Sequence, residues 1–551
     1  MKNRILLGSA LGTALVGVAL AISVGGAFAH STGATPLPSA TCSAIQNPDG
    51  NLLVASDLPL QGSGRSQTIQ MTKAIAFEFN AAGWKAGSHT IAYQSCDDST
   101  AQAGKWDSAT CQSNATNYAA DSSVVGVIGT FNSGCAEIEI PIENRAAGGP
   151  LGMVSPANTY VGLTHPGPGT AVGEPGKYYP TGTRNYARVV AADDYQGAAD
   201  ATLAQQLGIK KLYVLNDKEA YGAGVATDMQ NAAKKLGIQI VKFTAYDPKA
   251  TSFSALAVNI KASGATGVFI GGLICENGGK LVHDIVTGAP GVQLILPDGF
   301  TPVSATVTQS GGTANGAYVS VAGLPNSQLP PAGRAFVAGF SHAEAGAAVD
   351  PYSVYAAQAA QVMLQAIGNS NGSRSSVNSA VFKTSIPNGL LGPVAFNKNG
   401  DVASNPVAIY KAVKGAPVTY KVIVPAKDAL SLEGATLDYE IDGLVLRNPN
   451  RPKPIQIGTL TIDDELADKV REVVDTEVNP ALAAHGGYIT FVGHDAEGRA
   501  YVTMGGGCHG CSMSRMTMLQ GVQTMIKDAV PRIDKVIDAT DHSTGENPYY
   551  S

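Results

Sequence analysis

The run Lys211-Leu-Tyr-Val-Leu215 is short and apolar, and it ends directly in the polar pair Asn216-Asp217. Three other runs have the same form and end in Gly or Ser: Leu52-Leu-Val-Ala-Ser56, Val124-Val-Gly-Val-Ile-Gly129 and Thr266-Gly-Val-Phe-Ile-Gly-Gly272. Amphipathic stretches separate these runs, which is typical of βα units with a parallel sheet. Open α/β folds bind ligands at the carboxyl ends of their strands. The sequence therefore predicts an α/β domain of two lobes over residues 50–425, with parallel sheets, helices on both sheet faces and a ligand cleft.

Length and composition limit the possible classes of protein. A chain of 551 residues exceeds what one hydrophobic core organises, so several domains are predicted. The apolar fraction of 44% and the charged fraction of 15% are typical of a soluble globular protein. A net charge of −6 supplies no basic field for a phosphate backbone, so nucleic acid is excluded as a partner.

The N-terminus has the pattern of a secretory signal peptide. Lys2 and Arg4 precede the apolar run Ile5–Val24, and Ala27-Phe-Ala29 offers a cleavage site. Export to the periplasm or cell surface is therefore predicted, with residues 1–29 as the signal peptide. A single membrane anchor is the alternative, because an apolar run of this length could almost span a bilayer.

A series of landmarks in the large domain carries a family resemblance. In chain order they are Gly129-Thr-Phe-Asn-Ser133-Gly, Val154-Ser-Pro-Ala157-Asn-Thr159, Arg184-Asn-Tyr-Ala-Arg188, Asp194-Tyr-Gln-Gly197, Asn216-Asp-Lys-Glu-Ala-Tyr221-Gly, Gly271-Gly-Leu-Ile-Cys-Glu276 and Asp350-Pro-Tyr352. Together they resemble the leucine/isoleucine/valine-type solute-binding proteins of ABC importers, which have the type I periplasmic binding fold. Each motif is weak alone, but their order over some 370 residues is specific.

The resemblance implies an amino-acid site. Ser133, Ala157 and Thr159 would hold the ligand carboxylate, Glu276 would pair with its ammonium, and Tyr221 would close over it. These roles suit the chemistry, since a carboxylate needs hydroxyl and N–H donors and an ammonium needs a buried carboxylate. Helix capping by the hydroxyls, a core tyrosine and a surface acid are the structural alternatives.

The identity of the solute stays open. Leu60-Gln-Gly62 is expected to contribute to the side-chain pocket, and branched aliphatic amino acids, other amino acids, amides and small carboxylates are all compatible with it. No nucleophile, base and orienting group occur together as a set in this region, so an enzyme is not expected. An ABC permease is the implied partner.

Five cysteines lie in the large domain: Cys42, Cys96, Cys111, Cys135 and Cys275. An exported protein would tend to oxidise them. Cys96 and Cys111 bracket one short polar loop, so they are the predicted pair. The connectivity of the other three cannot be deduced, and the odd count leaves at least one cysteine without a partner in this domain.

The organisation changes after Pro425. The segments Leu430–Tyr439, Gly443-Leu-Val-Leu446 and Asn448-Pro-Asn450 resemble the closing strands of an A-type iron-sulfur carrier domain. Only the tail of such a domain is present, without its cysteines, and some 25 residues cannot bury a core of their own.

The last 90 residues have a clear pattern of elements. Helices are predicted over Asp463–Val474 and from about Ser512 to Ala529. A hairpin is predicted with strands Tyr488–Gly493 and Arg499–Met504, and Lys535–Thr540 is predicted as a closing strand. The expected fold is a small α+β domain of αββαβ order.

The motif Gly505-Gly-Gly-Cys508-His-Gly-Cys511 lies between that hairpin and the following helix. With Val478-Asn-Pro480, Ala484-His-Gly-Gly487, Gln520-Gly-Val522 and the C-terminal Asp541-His542, it makes the region resemble the NifU C-terminal (Nfu) domain. The resemblance implies an iron-sulfur scaffold. Two thiolates cannot complete a cluster that needs four, so two copies would share one [4Fe-4S] cluster on Cys508 and Cys511 and pass it to apo iron-sulfur proteins.

Other roles of the cysteine pair remain open. A zinc site would need further ligands such as His509. A thioredoxin-like redox pair would follow the first strand of a βαβ unit, whereas this motif follows a hairpin. A plain disulfide is the main alternative if the domain is exported. Cluster assembly belongs in a reducing cytosol, whereas the signal segment directs the chain to an oxidising compartment. A genuine gene fusion and an accidental join of two reading frames both explain this conflict, and the truncated carrier remnant favours the accidental join.

The predicted organisation is a signal peptide at 1–29, a lead-in at 30–49, a ligand-binding domain at 50–425, a carrier remnant at 426–450, a linker at 451–459 and a scaffold domain at 460–551.

Overall fold

The computed structural model describes residues 33–413, 418–423, 436–440, 443–447, 460–483, 487–506 and 514–539. The signal segment, the linker and the residues Cys508, His509 and Cys511 lie outside these ranges, so the predictions made for them are not addressed by the structure. No helix among the described residues is both long enough and apolar enough to cross a membrane.

The first lobe is built on a six-stranded sheet. The strands of this part of the chain are β1 (Leu52–Leu58), β2 (Lys85–Ala86), β3 (His89–Asp97), β4 (Ser99–Thr100), β5 (Lys105–Trp106), β6 (Val124–Gly129), β7 (Gly152–Ser155) and β8 (Tyr186–Arg188). The sheet order is β2-β3-β1-β6-β7-β8, and its pairs are parallel apart from β2 with β3. β4 and β5 form a separate hairpin. The strands predicted at Leu52 and Val124 are confirmed, and β6 is buried throughout, as a strand covered on both faces should be.

Three helices flank this sheet: α1 (Arg65–Ala81), α2 (Ser108–Ala120) and α3 (Ser133–Asn144). α2 begins at a cap, because the Asp107 side chain accepts hydrogen bonds from the backbone N–H groups of Ala109 and Thr110. α3 begins directly after β6, and Asn132 at its start makes no side-chain cap. The first N–H groups of α3 are therefore not covered by a capping side chain.

The second lobe repeats this architecture. Its first elements are α4 (Asp193–Gln206), β9 (Lys211–Asn216), α5 (Ala220–Lys235), β10 (Gln239–Ala245), α6 (Ser254–Ala262), β11 (Gly267–Gly271), α7 (Gly279–Gly288), β12 (Gln293–Leu296), α8 (Val303–Gln309) and β13 (Tyr318–Val321). Strands β9 to β13 pair in parallel in the order β10-β9-β11-β12-β13. The predicted strands at Lys211 and Thr266 are thus β9 and β11.

The chain then crosses back to the first lobe and afterwards returns to the second. The next elements are α9 (Pro331–Ala343), α10 (Pro351–Gly368), α11 (Arg374–Val381), β14 (Ser385–Gly389) and β15 (Gly392–Ala395). α10 packs along α1, and α11 packs on β6 and β7, so these helices complete the first lobe. β16 (Val407–Lys411) and β17 (Val418–Ile423) then extend the second sheet as antiparallel strands beside β13.

The three crossings between the lobes lie side by side. Residues of all three line one small cavity, among them Val189, Gly323 and Pro406. Buried apolar side chains form one continuous cluster that includes Val54 and Ile128 of the first lobe and Leu215 of the second. The predicted two-lobed α/β fold is confirmed by this architecture.

The disulfides differ from the prediction. Cys42 is joined to Cys96, with Cα atoms 3.9 Å apart, and Cys111 is joined to Cys135, with Cα atoms 5.7 Å apart. The predicted Cys96–Cys111 pair is wrong because Cys96, near the end of β3, lies directly opposite Cys42 in an antiparallel bridge. Cys111 instead faces the neighbouring helix α3. Cys275 is a free thiol, as the odd count requires.

One carboxylate lies against the second disulfide. An oxygen of Asp98 and the sulfurs of Cys111 and Cys135 are within 4.8 Å of one another, and all three residues are buried. Disulfide sulfurs are not thiolates, so this group is not a metal site in the oxidised protein.

The C-terminal part forms a small α+β unit. Its elements are α12 (Glu465–Val473), a π-helical turn (Val474–Val478), α13 (Asn479–Ala483), β20 (Gly487–His494), β21 (Arg499–Gly506), α14 (Ser514–Ala529) and β22 (Lys535–Asp538), and they follow a separate hairpin of β18 (Thr436–Glu440) and β19 (Gly443–Arg447). β20 and β21 are antiparallel, and β22 joins β21 in parallel. Leu466, Val502 and Ile526 are among the residues of its hydrophobic core. The predicted hairpin, flanking helices and closing strand are confirmed.

Candidate functional site

The first-lobe wall of the cleft contains the predicted carboxylate ligands. Ser133 is the first residue of α3, and its Oγ accepts a hydrogen bond from the backbone N–H of Tyr160 at 3.4 Å. This contact brings Ser133 next to Thr159, and both side chains are buried. The backbone N–H of Ala157 donates to Ser155 Oγ at 3.1 Å, so it is already used in a local turn. The structure brings the three predicted residues together, and their binding role stays a prediction.

Tyr221, on the second lobe, is hydrogen-bonded to a buried acid, Asp298. Its hydroxyl donates to Asp298 Oδ1 at 2.6 Å and accepts from the backbone N–H of Gly299 at 2.8 Å. The other oxygen of Asp298 accepts from the hydroxyl of Tyr352 at 2.6 Å. Burial raises the pKa of Asp298, and the two tyrosine hydrogen bonds oppose that rise. Tyr221 is therefore a buried, hydrogen-bonded side chain with no freedom to act as a simple lid in this conformation.

Glu276 is paired across the cleft. It follows β11, as predicted, but its carboxylate contacts the ammonium of Lys105 from the first lobe. Lys105 Nζ also lies 2.6 Å from Oε1 of Glu219, and the indole N–H of Trp106 donates to Oε2 of Glu219 at 3.3 Å. The carboxylate of Glu276, which was predicted to bind the ligand ammonium, is therefore already paired with the ammonium of Lys105.

Asp193 is an unpaired acid beside this region. It is fully buried, and neither of its carboxylate oxygens has a hydrogen-bond partner of normal geometry. Its backbone N–H donates to the carbonyl of Thr159 at 2.8 Å, which places it against the first-lobe wall. Burial raises its pKa well above the ordinary carboxyl value, and the nearby Asp298 adds to the rise.

The predicted side-chain loop is fixed by hydrogen bonds. Gln61 Nε2 donates to Asp97 Oδ2 at 2.9 Å, and the backbone N–H groups of Leu60 and Gln61 donate to the side chains of Asp97 and Ser99. The loop is thus held against the end of β3. Its contact with a ligand stays a prediction.

A cavity of about 320 Å³ opens where α1 and the start of α10 meet the second lobe. Its lining is mixed: apolar side chains such as Val303, Val321 and Val349 alternate with the polar residues Ser66, Gln67, Gln70, Thr301, Ser304 and Asp350. None of the five predicted ligand residues lines it, although its member Tyr352 contacts Asp298. This volume is sufficient for a ligand of amino-acid size.

Sequence reasoning missed Lys105, Asp193, Asp298 and Tyr352 as site residues. Asp298 follows the apolar strand β12, so the pattern that selected Glu276 after β11 could have selected it as well. Lys105 gave no such signal, because its partner lies 171 positions away in the sequence.

The predicted cysteine site lies in the gap between two described elements. β21 ends at Gly506 and α14 begins at Ser514, so Cys508 and Cys511 belong to the seven-residue connection between them. The N-terminus of a 16-residue helix follows Cys511 three positions later. A helix N-terminus lowers thiol pKa values and so favours thiolate ligands.

Comparison with known families decides the class of the large domain. A periplasmic binding protein family model matches residues 59–417, which is more than half of the chain. The chain belongs to the periplasmic binding protein family. Among solved structures, this domain is similar to a leucine binding protein LivK from Thermotoga maritima, with 20% identity and a TM-score of 0.59 over 68% of this chain and 99% of that one.

Two further structures show the same likeness to the periplasmic binding domain. One is LivJ from Streptococcus pneumoniae in complex with isoleucine, with 18% identity and a TM-score of 0.57 over 68% of this chain and 99% of that one. The other is a solute binding protein from R. palustris in complex with benzoate, with 18% identity and a TM-score of 0.56 over 68% of this chain and 96% of that one. At these identities the likeness shows the type I fold alone.

The C-terminal region has its own relatives. A NifU-like domain model matches residues 470–537. The Fe/S biogenesis protein NfuA of Azotobacter vinelandii is 39% identical over 130 residues, which are 22% of this chain and 65% of the relative. NfuA of Xylella fastidiosa is 37% identical over 137 residues, which are 24% of this chain and 67% of the relative. The chain thus spans about two thirds of the length of these relatives, and it carries a NifU-like domain behind its periplasmic binding domain.

Proposed function

We propose that the periplasmic binding domain is the exported solute receptor of an ABC importer and binds a small amino acid or related carboxylate. The observation that supports this best is the position of Ser133. It begins α3, a helix whose first N–H groups have no capping side chain, and it lies beside Thr159 in a cleft between two lobes. Hydroxyl donors and helix N–H groups are a favourable environment for a carboxylate.

A thermal-shift screen of amino acids and small carboxylates tests this receptor. A ligand at 100 times its dissociation constant adds about 2.7 kcal/mol to the free energy of unfolding. S133A and T159A should weaken that stabilisation, whereas T308A, on an exposed position of α8, should not. The absence of any stabilising solute in a broad library would contradict the proposal.

We propose that the C-terminal domain is an iron-sulfur scaffold or carrier. Cys508 and Cys511 of two copies would hold one [4Fe-4S] cluster, which would pass to apo iron-sulfur proteins. The supporting observation is the order of the chain, in which both cysteines follow the end of β21 at Gly506 and precede the start of α14 at Ser514. Neither domain is proposed to turn over a substrate.

Anaerobic reconstitution tests the scaffold. The purified chain should bind about four irons per dimer and show thiolate-to-iron absorption. C508S and C511S should each abolish the absorption, while C275S, which removes the free thiol of the other domain, should retain it. Equal iron binding by the C508S/C511S double variant would rule out these ligands.

The compartment decides which domain is active in the cell. Two disulfides in the periplasmic binding domain support an oxidising compartment, where Cys508 and Cys511 would tend to oxidise. Cell fractionation with an antibody against the C-terminal domain, followed by N-terminal sequencing, separates the cases. A full-length exported band starting near His30 would support the exported receptor, and a small cytosolic band would support a scaffold that acts alone.

A further inference from the structure

Lys105 is the one described cation whose ammonium contacts Glu276, and it comes from the opposite lobe. It lies on the short β4–β5 hairpin of the first lobe, whereas Glu219 and Glu276 follow strands of the second. Its side chain is 25% exposed and that of Glu276 is 10% exposed, so the pair is largely removed from water. Opposite charges in such a place interact more strongly than at the surface.

Lys105 supplies one positive charge to a cluster of acids that contains Glu219, Glu276 and the nearby Asp217. Both oxygens of Glu219 are used, one by Lys105 and the other by the Trp106 indole N–H. Glu219 is also the cap residue of α5, where the helix dipole contributes about half a positive charge. Lys105 and the helix dipole therefore offset most of the charge of Glu219 and Glu276 without a ligand, and burial together with Glu219 raises the pKa of Asp217 to about 7.

The same hairpin touches the predicted carboxylate position. The Trp106 indole lies over Gly134, the second residue of α3, where an added Cβ would lie 2.5 Å from ring atom Cζ2. The Lys105 ammonium lies 5.5 Å from the centroid of that indole, so it is close to the N-terminus of α3. An α-amino acid bound at Ser133 would have to place its own ammonium in this neighbourhood.

We infer that Lys105 is a specificity-determining residue that supplies from within the protein the positive charge that an α-amino acid would bring to Glu276. The ligand is therefore a small organic acid of amino-acid size that lacks an α-ammonium group. The inference rests on the proposed receptor function and narrows its solute class. An incoming ammonium would meet Lys105 as a like charge, and displacing Lys105 would break its contacts with both carboxylates.

Matched ligand pairs test the inference on the full chain. Binding of L-leucine is compared with binding of 4-methylpentanoate, and binding of L-phenylalanine with that of 3-phenylpropanoate, by titration calorimetry. In the wild-type protein the amine-free acid of at least one pair should bind about tenfold more tightly than its amino acid or better. K105M removes the ammonium and keeps a side chain of similar length, so it should shift the ratio toward the amino acid by about tenfold.

Two controls separate charge from structure. K105R retains the positive charge and should keep the wild-type preference, and K73M, which removes a lysine paired with Glu344 elsewhere on the first lobe, should do the same. Melting without ligand shows whether each variant folds. Tighter binding of the amino acid by the wild type, or an unchanged ratio in folded K105M, would overturn the inference and leave the receptor function intact. Failure of all four ligands to bind either protein would overturn the inference, and the broad thermal-shift screen decides the receptor function separately.

Discussion

The Tyr352 hydroxyl donates to Asp298 Oδ2 at 2.6 Å and so joins the two lobes inside the protein. Tyr352 is near the start of α10, which packs on the first lobe, and Asp298 follows β12 of the second. Both residues are buried. We predict that Y352F lowers the free energy of unfolding by about 1.5 to 3 kcal/mol, because it leaves one buried carboxylate oxygen without its donor. Urea unfolding followed by tryptophan fluorescence measures this change.

Tyr213 provides the control for this substitution. It is buried in β9, and the tyrosine hydroxyls that donate to Asp298 are those of Tyr221 and Tyr352. Y213F should therefore change the unfolding midpoint much less. A Y352F protein as stable as the wild type would show that the hydrogen bond adds nothing to the closed arrangement.

Four buried acids of the first lobe, Asp57, Asp98, Glu139 and Glu143, make its stability depend on pH. Burial raises the pKa of Asp57 to about 6 and raises the pKa values of the other three well above the ordinary carboxyl range. The folded state therefore binds more protons than the unfolded state above about pH 4. The contribution of these acids to the free energy of unfolding is fully present below that pH. It is lost as the pH rises through their pKa values in the folded state, so the lobe should be more stable at pH 4.5 than at pH 8.

Asp98 tests this pH dependence, since neither of its oxygens has a hydrogen-bond partner. D98N removes the ionisation, so the difference in urea midpoint between pH 4.5 and pH 8 should become smaller and the variant should exceed the wild type at pH 8. D49N, at an exposed position, should leave the profile as it is. A stability that rises with pH in all three proteins would contradict the argument.

The pattern of short apolar runs and amphipathic segments was sufficient to predict the fold. β6 and β9 coincide with the predicted strands to within a residue, because buried parallel strands leave a local signal of continuous apolar residues. The helix predicted over Asp463–Val474 ends one residue early, at Val473, where a π-helical turn begins. Local preference placed the helix, but it did not set its end.

Pairings between residues that are distant along the chain could not be predicted from the sequence. The Cys96–Cys111 prediction used proximity along the chain, whereas Cys96 is taken by Cys42 through a bridge that depends on the folded sheet. The same limit applies to Lys105, whose partner Glu276 belongs to the other lobe. Ser133 could be predicted because a helix start after a strand is a local feature, and its neighbours in space could not.

The two disulfides should each stabilise the periplasmic binding domain. Cys42–Cys96 spans 54 positions and Cys111–Cys135 spans 24, and loops of this size correspond to about 3 to 4.5 kcal/mol of lost unfolded-state freedom. The C42S/C96S and C111S/C135S double variants should unfold at lower urea concentration by amounts of this order. C275S, which removes the free thiol, should cost less. Non-reducing peptide mapping should find these two pairs, and a Cys96–Cys111 peptide would contradict the structure.

His165 gives a second pH dependence, at the junction of the lobes. It lies 3.1 Å from Asp401 and 3.5 Å from Asp194, and hydrogen bonds to these acids raise its pKa to about 9. Because the folded pKa exceeds the ordinary value near 6.5, the contribution to stability is fully present below pH 6.5 and is lost as the pH rises through 9. H165N should abolish this part of the dependence of stability on pH. At pH 6.5 it should lower the free energy of unfolding by about 1 to 2 kcal/mol, allowing for solvent screening. H89N removes a histidine whose Nε2 lies 3.3 Å from the carbonyl oxygen of Ser370, and it should keep the wild-type slope between pH 6.5 and 9. If H165N instead retained the full slope, a different group would have to titrate in this interval, and the acids around His165 would not be holding its proton.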